Sequence, residues 1–201
     1  MGFYYDLFEM TNREDEWEFN NKQTVTNIGV EIKDRIAYVL VRQTPPTKLK
    51  AWWQNFRALK VPYKNMTNEF AVHKGFLEMY KSVRDSFIDY MKIISEDVDK
   101  IIITGYSQGG GIAPLVYEDL FFQLDRPQDD YICIVYGAPR CFGRKNKEIL
   151  EQRMPNLIRV EHGQDIVATI PWKWMGYADL GELKHIGSKR NWFKAIFFGI
   201  A

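Results

Sequence analysis

The stretch Ile101–Gly111, IIITGYSQGGG, constrains this chain more than any other. A run of β-branched residues, suited to a buried pleated surface, stops at a serine set between glycines, and more glycines stand where a helix would begin. The flanking segments repeat the theme. Apolar side chains recur at Phe76, Tyr80, Val83, Phe87, Met91 and Ile94, which predicts a helix from Lys74 to Ile94 with one buried stripe. After strand KIIITGY come a helical stretch from Ser107 to Leu124, strand YICIVYG, a polar helical run from Lys145 to Arg153 and strand NLIRVEH. Strands apolar on both faces that alternate with helices predict an α/β fold, with a mostly parallel central sheet and helices on both faces. Pro114 should bend its helix by removing one backbone bond.

Upstream, IGVEIKDRIAYVLVRQT (Ile28–Thr44) gives two β-rich runs around a turn at Lys33-Asp34, a hairpin pattern. The next stretch, TPPTKLKAWWQNFRALKVPYKN, breaks at Pro45 and Pro46 and reads as a loop with a short helix. The 201 residues, 46% of them hydrophobic, suffice for one domain over 1–201, with residues 1–24 peripheral. Lys plus Arg at 27 against Asp plus Glu at 26 leaves no field to gather nucleic acid. Cys133 and Cys141 show neither metal-ligand spacing nor a disulfide framework. No basic, apolar leader opens the chain and no run approaches a membrane span. These features predict a cytoplasmic protein without a transmembrane segment.

In Gly105–Gly109 the pattern G-x-S-x-G stands where a buried strand meets a helix. That context is the mark of a nucleophile elbow. The tight turn would lift the Ser107 hydroxyl to the rim of the sheet and aim the Gln108 amide at an oxyanion formed there. The bland alternative is a glycine-rich turn with an incidental serine. A serine nucleophile needs a base and an acid that orients it. Asp165, in EHGQDIVATIP after the next long strand, is the candidate acid; its alternative is a turn aspartate. No metal is needed and no cofactor motif appears.

Several motifs, in order, resemble the class 3 lipases, fungal triacylglycerol-lipase-like members of the α/β-hydrolases. Val72–Phe76 (VHKGF) resembles the family's V-H-x-G-F, and TGYSQGG its G-H-S-L-G-G. Tyr136–Arg140 (YGAPR) is similar to F-G-x-P-R, and Asp165–Pro171 (DIVATIP) to D-x-V-x-x-L-P. The match covers about residues 25–185. It implies hydrolysis of carboxylic esters by Ser107 and Asp165, with a lipid or other small-molecule ester as substrate and a transient lipid interface as partner.

The resemblance also marks departures. The family's F-R-G-[S/T], source of the first oxyanion donor, corresponds to Val41, Arg42, Gln43 and Thr44, so Thr44 matches while Gln43 replaces the glycine and its backbone freedom. The family's lid maps to the segment around Lys48–Phe56, where Trp52 and Trp53 would cap an apolar cleft or pack on the core. Of the three histidines, His73 belongs to the helix start and His162 ends a strand before the acid, so chain order leaves His185 as candidate base. The resemblance, however, places His185 on a strand of a late hairpin, with the catalytic histidine on a loop further on. The chain is therefore expected to be truncated or to lack its base. A thioesterase or acyltransferase with the same elbow, and a catalytically impaired lipase-like binding module, stay open beside the esterase reading.

Overall fold

The computed structural model describes residues 2–11, 17–42, 58–65 and 68–187. Over these residues the strands form a seven-stranded sheet and a separate two-stranded one. The sheet opens with β1 (Phe19–Asn21), β2 (Thr26–Lys33) and β3 (Ile36–Val41), each antiparallel to the next. It continues in parallel through β6 (Lys100–Tyr106), β7 (Tyr131–Tyr136), β8 (Leu157–His162) and β9 (Glu182–Ile186). The β2–β3 hairpin forms as predicted, one residue later than read. Lys33 pairs with Ile36, and Asp34 (φ 50°) and Arg35 (φ 59°) both take the left-handed conformation that a two-residue type I′ loop requires.

Helices cover both faces unequally. On the first face lie α2 (Lys74–Lys81), α3 (Arg84–Ile94), α4 (Gln108–Gln123) and α5 (Lys147–Arg153), around a core that includes Phe76, Tyr80, Phe87, Ile101, Ile103 and Leu115. On the second face α1 (Phe3–Thr11) inserts Leu7 against Ile102, Ile134, Tyr136 and Val160. Phe8 meets the rings of Tyr106 and Tyr136 edge-on at 5.3 and 5.2 Å. Residues 1–24, expected to be peripheral, thus supply α1 and β1; Leu7 is 1% exposed, so this segment completes the second core.

Two further expectations need correction. The predicted stripe is buried throughout, but it runs over two helices. The break falls at Ser82, whose hydroxyl donates to Met79 O at 2.7 Å and meets Thr24 Oγ1 at 2.8 Å, and Val83 leaves helical geometry at ψ −7°. Secondly, Lys60–Asn65, read as part of a loop and short helix, is strand β4, paired antiparallel with β5 (Asn68–His73). The strand expected at His185 forms as β9, which among the described residues pairs in parallel with β8. Pro114 sits within α4 without ending it.

Candidate active site

The elbow is built by close approach of backbones. Ser107 stands between β6 and α4 at φ 53°, ψ −119°, a conformation that costs an L-residue energy and persists only where the surroundings enforce it. A Cβ on Gly105 would come 2.5 Å from Gly109 O. One on Gly109 would come 2.7 Å from Arg42 O, and closer still to Val41 O. Only glycine fits either place. The Ser107 hydroxyl makes no capping bond to the helix, and the Ser107 N–H is tied to Tyr136 O at 2.9 Å, which fixes the turn against β7.

The first rung of α4 runs from Gly111 N to Ser107 O at 3.1 Å. The N–H groups of Gln108, Gly109 and Gly110 precede the ladder, with the positive end of the helix behind them. Gln108 itself is buried, its side-chain amide turned to Met79 Sδ at 3.3 Å, so its main chain rather than its side chain faces the serine's end of the helix. Thr44, the other candidate oxyanion donor, lies outside the described residues, as do Gln43, Trp52, Trp53 and the segment compared to a lid.

Asp165 comes to the same rim from the loop after β8. Its carboxylate lies over Gly137, the residue after β7, where a Cβ would stand 2.5 Å from Asp165 Oδ2. The same Gly137 adopts φ 48°. Asp165 Oδ1 accepts the Val167 N–H at 2.9 Å, the turn bond foreseen as its alternative role, so the aspartate closes its own loop and presents the other oxygen to Gly137. Burial raises the Asp165 carboxyl above its ordinary value, only partly offset by the Val167 N–H and the nearby His162. Beside it, Tyr106 is pushed up by burial and by the Asp165 charge.

This sets the sign of a test. A carboxyl whose folded pKa lies above its unfolded value favours the protonated form in the fold, so its ionised form lowers stability as pH rises through that interval. Asp165→Asn, which keeps the oxygen for Val167, is expected to raise the melting temperature at neutral pH and to leave it unchanged in acid. Paired thermal melts at the two pH values check this.

Sequence reading named Arg140 only as part of a motif; the structure gives it a task. Its N–H donates to Ile170 O at 2.7 Å and its guanidinium to Pro171 O at 3.0 Å and to Thr169 O, while Nε pairs with Asp179. Arg140 thereby pins the loop that carries Asp165. Gly137 was likewise missed as the residue that makes room for the Asp165 carboxylate. The signal for both was present in YGAPR.

The histidines separate. His73 caps α2, its Nδ1 accepting the Phe76 N–H at 3.4 Å, as its place at the helix start suggested. His162 is exposed at the end of β8. His185 lies on β9 with Nε2 2.9 Å from Gly163 O. Among the described residues no hydrogen bond joins a histidine to Ser107 or Asp165, and no cluster of His, Cys, Asp and Glu could hold a metal ion. No helix of the described residues is long and apolar enough to cross a membrane.

The sequence pattern of the family described as lipase (class 3) matches residues 38–174. Lipases of Rhizopus niveus and Rhizopus oryzae are each 30% identical over 116 residues, 55% of this chain and 29% of theirs. The match thus spans less than a third of these curated relatives' length. Among solved structures, lipase II from Rhizopus niveus is similar with a TM-score of 0.74 at 25% identity, covering 85% of this chain and 65% of that one. The lipase of Rhizopus microsporus var. chinensis gives 0.73 at 26%, covering 86% and 60%. The triacylglyceride lipase of Rhizomucor miehei, at 0.72 and 23% identity over 86% and 65%, supports the likeness of fold.

Proposed function

Because the chain belongs to the class 3 lipase family, we propose that it hydrolyses lipid-like carboxylic esters with Ser107 as nucleophile and Asp165 as the acid of the relay. The observation that carries this reading is the enforced strain at Ser107, a non-glycine residue at φ 53° that two flanking glycines hold at a helix N-terminus. In the proposed reaction Ser107 Oγ attacks the ester carbonyl as a base takes its proton. The Gln108 N–H, with that of Thr44, holds the negative charge on the former carbonyl oxygen. Collapse of the tetrahedral species breaks the ester C–O bond, the base returns the proton to the departing alcohol, and water then releases the acid from Ser107. Asp165 would orient and charge-balance the base. Burial holds its carboxyl up, with the Val167 N–H and the nearby His162 offsetting this only in part, and a protonated imidazole bonded to it would bring it down further.

The base is the open element. His185 is the chain-order candidate, and its contact is with Gly163, two residues before Asp165. The absence of a histidine bonded to the serine or the acid among the described residues favours a second reading, a lipase-like module with impaired catalysis. Hydrolysis of a chromogenic ester panel separates the two. The hydrolase reading expects turnover that falls to background in Ser107→Ala, a loss on the order of 10⁶ where the relay is intact, and that falls with it in His185→Ala if His185 is the base. Turnover equal in wild type and Ser107→Ala would remove the reading.

A further inference from the structure

We infer that Trp172 and Trp174 form a rigid anchor that seats the rim bearing Ser107 and Asp165 on an anionic lipid surface. The two rings stack at 5.6 Å with planes 17° apart, yet they are 50% and 78% exposed. They thus present a paired aromatic surface to solvent rather than to the core. Single exposed apolar side chains are ordinary, but two indoles packed on each other and both turned outward are a concentrated apolar feature. Ile166, on the same loop, is 62% exposed. Tryptophan suits the boundary between lipid tails and water because a large apolar ring carries one polar N–H.

The loop is held before it binds anything. Met175 N and Gly176 N donate to Trp172 O and Lys173 O, both at 2.9 Å, closing a short 3-10 turn around the pair. Arg140 reaches Pro171 O, Arg144 N reaches Gly176 O at 2.8 Å, and Lys60 Nζ donates to Met175 O while lying over the Tyr177 ring. Little ordering is left to oppose insertion. Two exposed lysines also attend the loop: Lys60, which donates to Met175 O, and Lys173, which stands between the tryptophans and pairs with Asp179, a carboxylate that Arg140 also engages. Lysines beside an aromatic tip complement an anionic lipid surface. The same loop begins at Asp165, and Arg140, four residues past the end of β7, bonds Ile170 and Pro171, so the tryptophans follow directly on the stretch anchored next to that strand's end.

The inference takes its lipid from the ester-hydrolase reading, but its test does not need turnover. The chain is sedimented with vesicles of phosphatidylcholine, alone or mixed with phosphatidylserine. Wild type is expected to partition onto both, more strongly with phosphatidylserine, and Trp172→Ala/Trp174→Ala to lose about tenfold or more of that partition. Lys60→Gln/Lys173→Gln should lose only the phosphatidylserine increment, and the tryptophan variant should keep wild-type turnover of a water-soluble short-chain ester. If the double variant melts early, Trp174→Ser, at the more exposed ring, carries the same test. Equal partition of wild type and variant, no partition of wild type, or tryptophan-dependent self-association without lipid binding would each overturn the inference. Partition that depends on the tryptophans in a chain that cleaves no ester would keep it and remove the hydrolase reading instead.

Discussion

Gly109→Ala is expected to destabilise the fold by about 3 kcal/mol or more, at or beyond the upper end of ordinary overpacking. The reason is the nature of the obstacle. The added methyl would press on the backbone oxygens of Val41 and Arg42, at the end of β3, and neither can rotate away. Relief requires α4 to lift from the sheet, which would also carry Ser107 out of its turn. Gly111→Ala meets the ring of Phe76 at 2.7 Å instead, a side chain that can shift, so its cost is expected to be smaller despite the similar spacing. Urea denaturation of the two variants, read as the midpoint at unchanged slope, compares them. Against a typical total of about 5–15 kcal/mol, the Gly109 variant should be partly unfolded or poorly expressed.

Arg84→Ala is expected to cost about 3–5 kcal/mol, the range for stripping the partner from a buried charge. Helix α4 is buried from Gln108 to Leu120, and that burial includes two adjacent acids, Glu118 and Asp119, both at 0% exposure. Asp119 accepts from Tyr80 Oη at 2.8 Å and from Arg84 through both Nε and a terminal nitrogen, at 2.5 and 3.0 Å. Glu118 is met by Arg153 at 3.0 Å, whose guanidinium also lies 3.7 Å from the centre of the Phe122 ring. Without Arg84 the Asp119 charge keeps only the tyrosine and Gln123, inside a low-dielectric interior. The partly exposed Arg84 of an Asp119→Asn variant can turn to Asp85 and water, so that variant should lose less. A double-mutant cycle by chemical denaturation measures the coupling, and single losses that simply add would show that the pair does not couple.

Those acids show where sequence reading stops. A helix carrying Glu118 and Asp119 reads as half solvated, because the arginines that permit their burial come from 35 residues away on either side. The β6–Ser107–α4 unit was legible since every level agrees there: a β-branched run, a glycine-bounded turn, then a helix. Chain order put Asp165 on the loop after β8, and the structure brings its carboxylate over Gly137, next to Tyr136, whose carbonyl holds the Ser107 N–H. Strand β4 was not legible. Its Lys60, Pro62 and Lys64 are exposed while Val61 and Tyr63 turn inward, an alternation too short and too broken by the proline to stand out from the loop before it. For β9 the resemblance supplied the strand, but its parallel pairing with β8 was not legible, since Leu183 and Ile186 are about half exposed and show no buried run. The helix break at Ser82 follows from its bonds to Thr24 and Met79, while the apolar stripe runs on through it.

The nucleophilic character of Ser107 can be measured without knowing the substrate. A fluorophosphonate forms a phosphorus–oxygen bond to an activated serine and expels fluoride, and peptide mass mapping locates the adduct. The account predicts a single adduct on Ser107 that is absent from Ser107→Ala and strongly slowed in Asp165→Asn. A folded wild-type chain that stays unlabelled across the neutral and alkaline range, or one labelled elsewhere, would contradict it.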